Sequence, residues 1–200
     1  SHYAKGARPH KNRGPRRLVV YGRPEVARNM FSTAVEALDL FTSQNDLNAD
    51  EIELISVGLP HPPVVLSNGI VMKSLGKIPW DQYSDYLLST DIGLSLMYSP
   101  HPSHLPIELA ASGVRVVTNT FENKDLSTLT SAIISAQPNA EDLSKALTCA
   151  WSMPQVTQAE REIDLNQLQI IQEKLNNRPR KIIGYKTPKE MMDIELKFVA

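Results

Sequence analysis

The sequence holds one cysteine, Cys149, in 200 residues, which excludes an internal disulfide framework and points to a reducing compartment. No apolar run reaches the roughly 18 residues that a membrane-spanning helix needs, and the first residues do not resemble a secretory leader, so a cytoplasmic chain is expected. An Asp-x-Asp pair is missing throughout, so a divalent ion held by such a pair is not indicated. His101 and His104 stand three residues apart in a proline-broken loop with no cysteine and no carboxylate pair nearby. That is a weak zinc pattern, and no metal is expected. Charge is also missing by sign. Residues 1–17 carry six Lys or Arg and no acid, residues 18–172 carry eight cations against eighteen acids, and residues 173–200 carry seven against four. An acidic middle disfavours a broad nucleic-acid footprint, so no nucleic-acid partner is expected and each of its few cations becomes easier to assign.

What is present, 42% hydrophobic and 22% charged residues, suits one globular domain with tails. Residues 1–17, rich in Gly, Pro and cations, read as a flexible lead-in or linker. A strand is expected over residues 18–21. After Gly22-Arg23-Pro24 comes an amphipathic helix from about Glu25 to Phe41, with Val26, Met30, Phe31, Ala34, Val35 and Leu38 at helical spacing. Further strands are expected around residues 53–57 and 70–75, the second following the hairpin signal Asn68-Gly69. Residues 79–89 read as a helix opened by Pro79, and residues 139–152 as a helix capped by Asn139 or Ala140, after a short strand at residues 132–136.

The most informative stretch is DIGLSLMYSPHPSHLPIELAASGVRVVTN, residues 91–119. Residues 92–98 are apolar enough for a strand covered on both faces. Pro106 opens a helix of about two turns, Gly113 closes it, and β-branched residues 114–118 make the next strand. This is a βαβ unit, and ligands of such units bind beyond the carboxyl ends of the strands, with the helix-start amides favouring an anion. Glu108 lies in the first turn of that helix. It either reaches a ligand held there or simply complements the helix dipole. Arg23 and Arg28 fall where cations are unfavourable, at a helix start, which suggests either an anion that offsets the cost or plain solvation. Residues 121–125, Phe-Glu-Asn-Lys-Asp, read as a polar loop at the carboxyl end of a further strand, where a pocket rim is expected. Six short strands alternating with helices give a Rossmann-like, mostly parallel α/β domain.

The stretch "P-I-E-L-A-A-S-G-V-R-V-V" resembles the "P-x-x-E-x-x-A-x-G-x-P-V-V" signature of the nucleotide-sugar half of GT-B glycosyltransferases, and "G-R-P-E-V-A-R-N" matches in spacing their "G-R-x-x-x-x-K-G" opening. Residues 18–153 as a whole resemble the C-terminal, donor-binding domain of such an enzyme, one half of a GT-B fold, nearest to bacterial rhamnosyltransferases that build surface polysaccharide. The resemblance implies a nucleoside-diphosphate sugar such as dTDP-rhamnose as substrate and no further cofactor. It puts Arg23, Arg28 and Lys77 on the diphosphate and Glu108 on ribose or sugar; the amides of Ser103, His104 and Leu105, where the sequence departs from the family's glycine-rich connection, are expected to cradle phosphate. Lys77 is favoured over Lys73 because it lies beyond Gly76. The departures are Arg28 for Lys, Asn29 for Gly, Pro100 where the family has a first acid, and HPSHL in place of a glycine-rich connection. Family members carry the glycan acceptor site on an N-terminal domain, so this stretch alone is expected to bind nucleotide and transfer no sugar, the full enzyme working in the cytoplasm or at the inner face of the membrane. A non-catalytic Rossmann-like remnant is the alternative, and a nucleic-acid-binding hybrid ranks last.

Residues 154–200 are expected to form a helical tail of foreign origin. Leu165, Leu168, Ile171 and Leu175 make a helical stripe, Asn176 to Pro179 breaks it, and Thr187-Pro188-Lys189-Glu190 restarts it. The run "LNNRPRK-x-x-GY-x-TP-x-E" resembles the end of DDE-type insertion-sequence transposases, without any of their nuclease core.

Overall fold

The computed structural model describes residues 14–157 apart from Pro102. The tail expected to be transposase-like lies outside the described residues, as does most of the basic lead-in. The elements are β1 (Arg16–Gly22), a 3-10 turn (Ala27–Asn29), α1 (Phe31–Gln44), β2 (Ile52–Gly58), β3 (Val64–Val65), β4 (Val71–Gly76), α2 (Trp80–Leu88), β5 (Ile92–Leu94), α3 (Leu105–Ala111), β6 (Arg115–Asn119), a second 3-10 turn (Leu126–Thr128), β7 (Ile133–Ala136) and α4 (Ala140–Ser152).

Seven strands form one sheet in the order β3-β4-β2-β1-β5-β6-β7. All pairings are parallel except β3 with β4, the hairpin turned at Gly69. The chain winds one way from β1 through β2 to β4, then returns to β5 on the other side of β1. That reversal makes a switch point between β1 and β5, the place where the loops leaving two neighbouring strands diverge and open a crevice.

Alternation along the central strands sends side chains to both faces. Leu18, Val20, Leu54, Ile92 and Leu94 pack with Ala37, Leu38 and Phe41 of α1 and Leu143 and Leu147 of α4. Val19, Ile55 and Val57 pack on the opposite face with Ile78 and Tyr86. There α3 lies over β5 and β6, and it comes so close that a Cβ on Gly93 would sit 2.7 Å from a methyl of Leu109.

Three boundaries depart from expectation, each for a tertiary reason. β1 starts at Arg16 because the cations of the lead-in find partners. The Arg17 backbone amide donates to Asp91 Oδ2 at 2.8 Å, its guanidinium to Glu53 at 2.8 Å and Ser89 Oγ at 2.7 Å, and Arg16 lies 4.2 Å over the Trp151 ring. α1 starts at Phe31, not Glu25, because Met30 takes a left-handed conformation, φ 50° and ψ 42°, that no helix continues through. β5 stops at Leu94; Ser95 still donates to Val117 O at 3.1 Å, but beyond it the backbone turns to side chains and to another loop. The hairpin, α2, α3 and β6 agree with expectation to within a residue, and Asn139 caps α4 by accepting from Asp142 N.

Two glycines distinguish backbone strain from collision. Gly69, φ +84°, has nothing within 4 Å of a built Cβ, whereas Gly58, φ +131°, would bring a Cβ to 2.5 Å from the Gly22 carbonyl oxygen. Gly69→Ala is expected to cost about 1–2 kcal/mol of stability and Gly58→Ala about 2–4 kcal/mol, read from urea midpoints at constant slope. Equal costs would contradict the packing described between the ends of β1 and β2.

Candidate functional site at the carboxyl edge of the sheet

The crevice at the switch point is bounded by the loops after β1 and β5. A backbone hydrogen bond ties these loops, Tyr98 N donating to Arg28 O at 2.7 Å, and Asn29 Nδ2 reaches Leu96 O at 3.4 Å beside it. Arg28 therefore stands in the 3-10 turn ahead of α1, with its carbonyl fixed and its side chain exposed. Arg23 is half-buried where β1 meets β2, its Cγ 3.3 Å from the position a Cβ on Gly58 would take. Among the described residues, neither guanidinium meets a carboxylate. Lys77 follows β4, two strands away from β1, and is exposed.

Ser103, His104, Leu105 and Glu108 come together on the loop that enters α3. Ser103 has φ 60° and spends its amide on His101 Nδ1 at 3.1 Å, so that amide already has a partner within the loop. His104 is the N-cap and is exposed, Leu105 is half-buried, and the His104 carbonyl accepts from Glu108 N at 3.0 Å. The Glu108 carboxylate, half-buried, accepts from Tyr83 Oη of α2 at 2.7 Å. This bond orients the acid from outside its own helix. The His101 and His104 rings lie 6.1 Å apart, and among the described residues no three His, Cys, Asp or Glu side chains gather to hold a metal ion.

Sequence reasoning missed three contributors. His61, in the loop after β2, shares a 2.7 Å hydrogen bond with buried Ser56 Oγ and packs edge-on to Phe31 at 4.8 Å. Its Nδ1 lies 2.7 Å from the Pro62 carbonyl, which can only accept, so the neutral ring carries its proton there and Nε2 accepts from Ser56. Asn119, fully buried at the end of β6, accepts from Met97 N at 2.7 Å through Oδ1 and donates to Met97 O at 3.1 Å through Nδ2. Lys124, 6% exposed, donates from Nζ to the same Met97 carbonyl. The expected pocket rim at residues 121–125 thus contains a lysine that points inward. Only the termination of a β-branched strand in Asn119 hinted that something there grips a neighbour.

Burial lowers the Lys124 ammonium from its ordinary 10.5 to about 8. Between those values the unfolded chain holds a proton that the folded chain has lost, so stability rises with pH across this window and falls as pH drops through 8. The urea midpoint is therefore expected to gain from pH 8 to pH 10, and Lys124→Met to abolish that gain. An identical pH dependence in the variant would place the titration elsewhere.

Residues 16–148 match the family described as WsaF, C-terminal domain. The chain is 33% identical over 106 residues to the O-antigen biosynthesis protein RfbC of Myxococcus xanthus, a match that takes in 53% of this chain and 8% of that protein. Among solved structures it resembles WaaG, a glycosyltransferase involved in lipopolysaccharide biosynthesis, at TM-score 0.55 and 15% identity over 71% of this chain and 39% of that one. It also resembles a trehalose-6-phosphate protein of E. coli bound with UDP-2-fluoro glucose, at TM-score 0.58 and 12% identity over 80% of this chain and 41% of that one. The likenesses to solved structures establish the fold, and the chain spans well under half of each of these proteins. The chain belongs to the WsaF C-terminal domain family, and its doubly wound sheet is the C-terminal half of a GT-B glycosyltransferase fold.

Proposed function

We propose that this chain is the donor-binding domain of a glycosyltransferase of surface-glycan assembly, taking a sugar, rhamnose, from a nucleoside diphosphate, dTDP. The observation that carries the reading is the pair of arginines, Arg23 and Arg28, on the loop after β1 at the switch point of an acidic domain, with no carboxylate partner among the described residues. Two cations left without acids in a crevice suit a diphosphate, whose oxygens accept charge-assisted hydrogen bonds. Exposed Lys77 adds a third positive group from the β4 side.

In this reading Glu108, held by Tyr83, accepts from a hydroxyl of the ribose or sugar. The amides of the loop entering α3 complete the phosphate cradle, with the Ser103 amide released from His101 when ligand arrives. The chemistry supplied by the domain is electrostatic. As the glycosidic bond to the diphosphate breaks, negative charge grows on the departing oxygen, and positive groups already in place stabilise it more than they stabilise the bound donor. No metal ion takes part. The acceptor and its base belong to an N-terminal domain, and the assembled enzyme works at the cytoplasmic face of the membrane.

Calorimetric titration with dTDP, UDP and GDP tests the reading. One nucleotide is expected to bind without magnesium, and Arg23→Ala and Glu108→Ala each to weaken it by about 1–3 kcal/mol. Failure of all three to bind at millimolar concentration, with the N-terminal half supplied as well, favours a non-binding remnant, as does Pro100 in place of the family's first acid. Sugar transfer by the chain alone would contradict the assignment of the acceptor site to another domain.

A further inference from the structure

The backbone that leaves β5 has no strand ladder beyond Ser95, and side chains take its place. On the β6 side, Met97 is held at both polar atoms: its amide by Asn119 Oδ1 at 2.7 Å, its carbonyl by Asn119 Nδ2 at 3.1 Å and by Lys124 Nζ, while the same carbonyl accepts from Ser99 N of its own loop at 2.9 Å. Asn119 Nδ2 also donates to Thr120 O at 3.0 Å, which fixes its own orientation. The Phe121 ring of the same loop packs edge-on to Tyr98, 4.6 Å between centroids. On the β1 side, the residues flanking Met97 are tied to Asn29 and to the Arg28 carbonyl. Residues 96–98 are thus held between the loops on both sides of the crevice.

From this arrangement, and resting on the donor-domain reading, we infer that Lys124 and Asn119 are positioning residues of the sugar-nucleotide site: by clamping Met97 they fix where Arg28 and the segment leading to Glu108 stand. A purely structural role is a poor account of Lys124. The residue is buried, no carboxylate among the described residues offsets that burial, and one carbonyl takes its hydrogen bond. A methionine would fill the same space without the desolvation penalty, so the lysine costs stability where it sits. What it supplies that methionine lacks is a directed bond to the Met97 carbonyl. Arg115, the other buried cation among the described residues, differs in this respect. It spans two separate segments, bonding Pro154 O and Ser131 O at 3.1 Å each, well away from the β5 loop in sequence.

The test compares the full chain with Lys124→Met, Lys124→Arg and Asn119→Ala. Hydrogen exchange of backbone amides is followed across the sheet and at residues 97 and 98, alongside the urea midpoint and titration with dTDP and UDP. Lys124→Met is expected to keep or raise the urea midpoint near pH 7. It should speed exchange at residues 97 and 98 by about tenfold while the central strands stay protected, and weaken nucleotide binding by about tenfold. Lys124→Arg, which retains a donor, should restore both. Asn119→Ala should loosen the same two amides. A Lys124→Met chain whose whole sheet exchanges faster in step with a lowered midpoint would overturn the proposal in favour of a structural role. Normal nucleotide binding by Lys124→Met would overturn it while leaving the donor-domain reading intact, and a wild-type chain that binds neither nucleotide would overturn that reading itself.

Discussion

A backbone hydrogen bond of 2.7 Å, from Tyr98 N to Arg28 O, joins the two loops that the sheet topology drives apart. Parallel strands that wind away from a common centre leave a gap at their carboxyl ends, and the segment after β5 has no regular structure there with which to satisfy its own amides. The gap is closed at its base by residues 96–98. Their polar atoms are paired from the left by Arg28 and Asn29 and from the right by Asn119 and Lys124. Backbone groups removed from water need such partners, since each one left unmet costs on the order of 1–3 kcal/mol. The requirement to pair three residues of backbone therefore ties the loop that carries Arg23 and Arg28 to the segment that leads to α3 and Glu108.

Much of the fold was legible because it is local. A β-branched run straight after the helix-closing Gly113 marked β6, Asn68-Gly69 marked the β3–β4 hairpin, and Pro79 and Asn139 marked the starts of α2 and α4. The departures lie where a distant segment overrules local preference. Val26 and Met30 continue the helical spacing of α1, so the pattern ran on through the loop. What stops the helix is Met30 in a left-handed conformation and an Arg28 carbonyl committed to Tyr98. Leu96 is as buried as any strand residue, so the apolar run looked like more β5, although its backbone bonds go to other loops. Lys124 was the hardest to foresee. A lysine among Glu, Asn and Asp reads as solvated, and only the fold shows that the Met97 carbonyl faces inward to meet it.

The candidate site divides in the same way. The arginines follow β1 and Glu108 lies in the first turn of α3, after β5, the two strands that flank the switch point. Their supports come from elements that the motifs do not cover: Tyr83 on α2 for Glu108, and Gly58 on β2 beside Arg23. Arg23 and Arg28 lie on a loop and Glu108 on a short helix, and the half-buried residues beside them, Tyr83 and Gly58, come from a neighbouring helix and strand.

Amide chemical-shift mapping of the isotopically labelled chain titrated with dTDP and UDP tests most directly whether the switch-point crevice is the ligand site. The account predicts shifts concentrated at residues 22–30, 97–108 and 76–78, with the α1–α4 face unmoved. Shifts confined to another face, or none at millimolar nucleotide with the sheet intact, would contradict it.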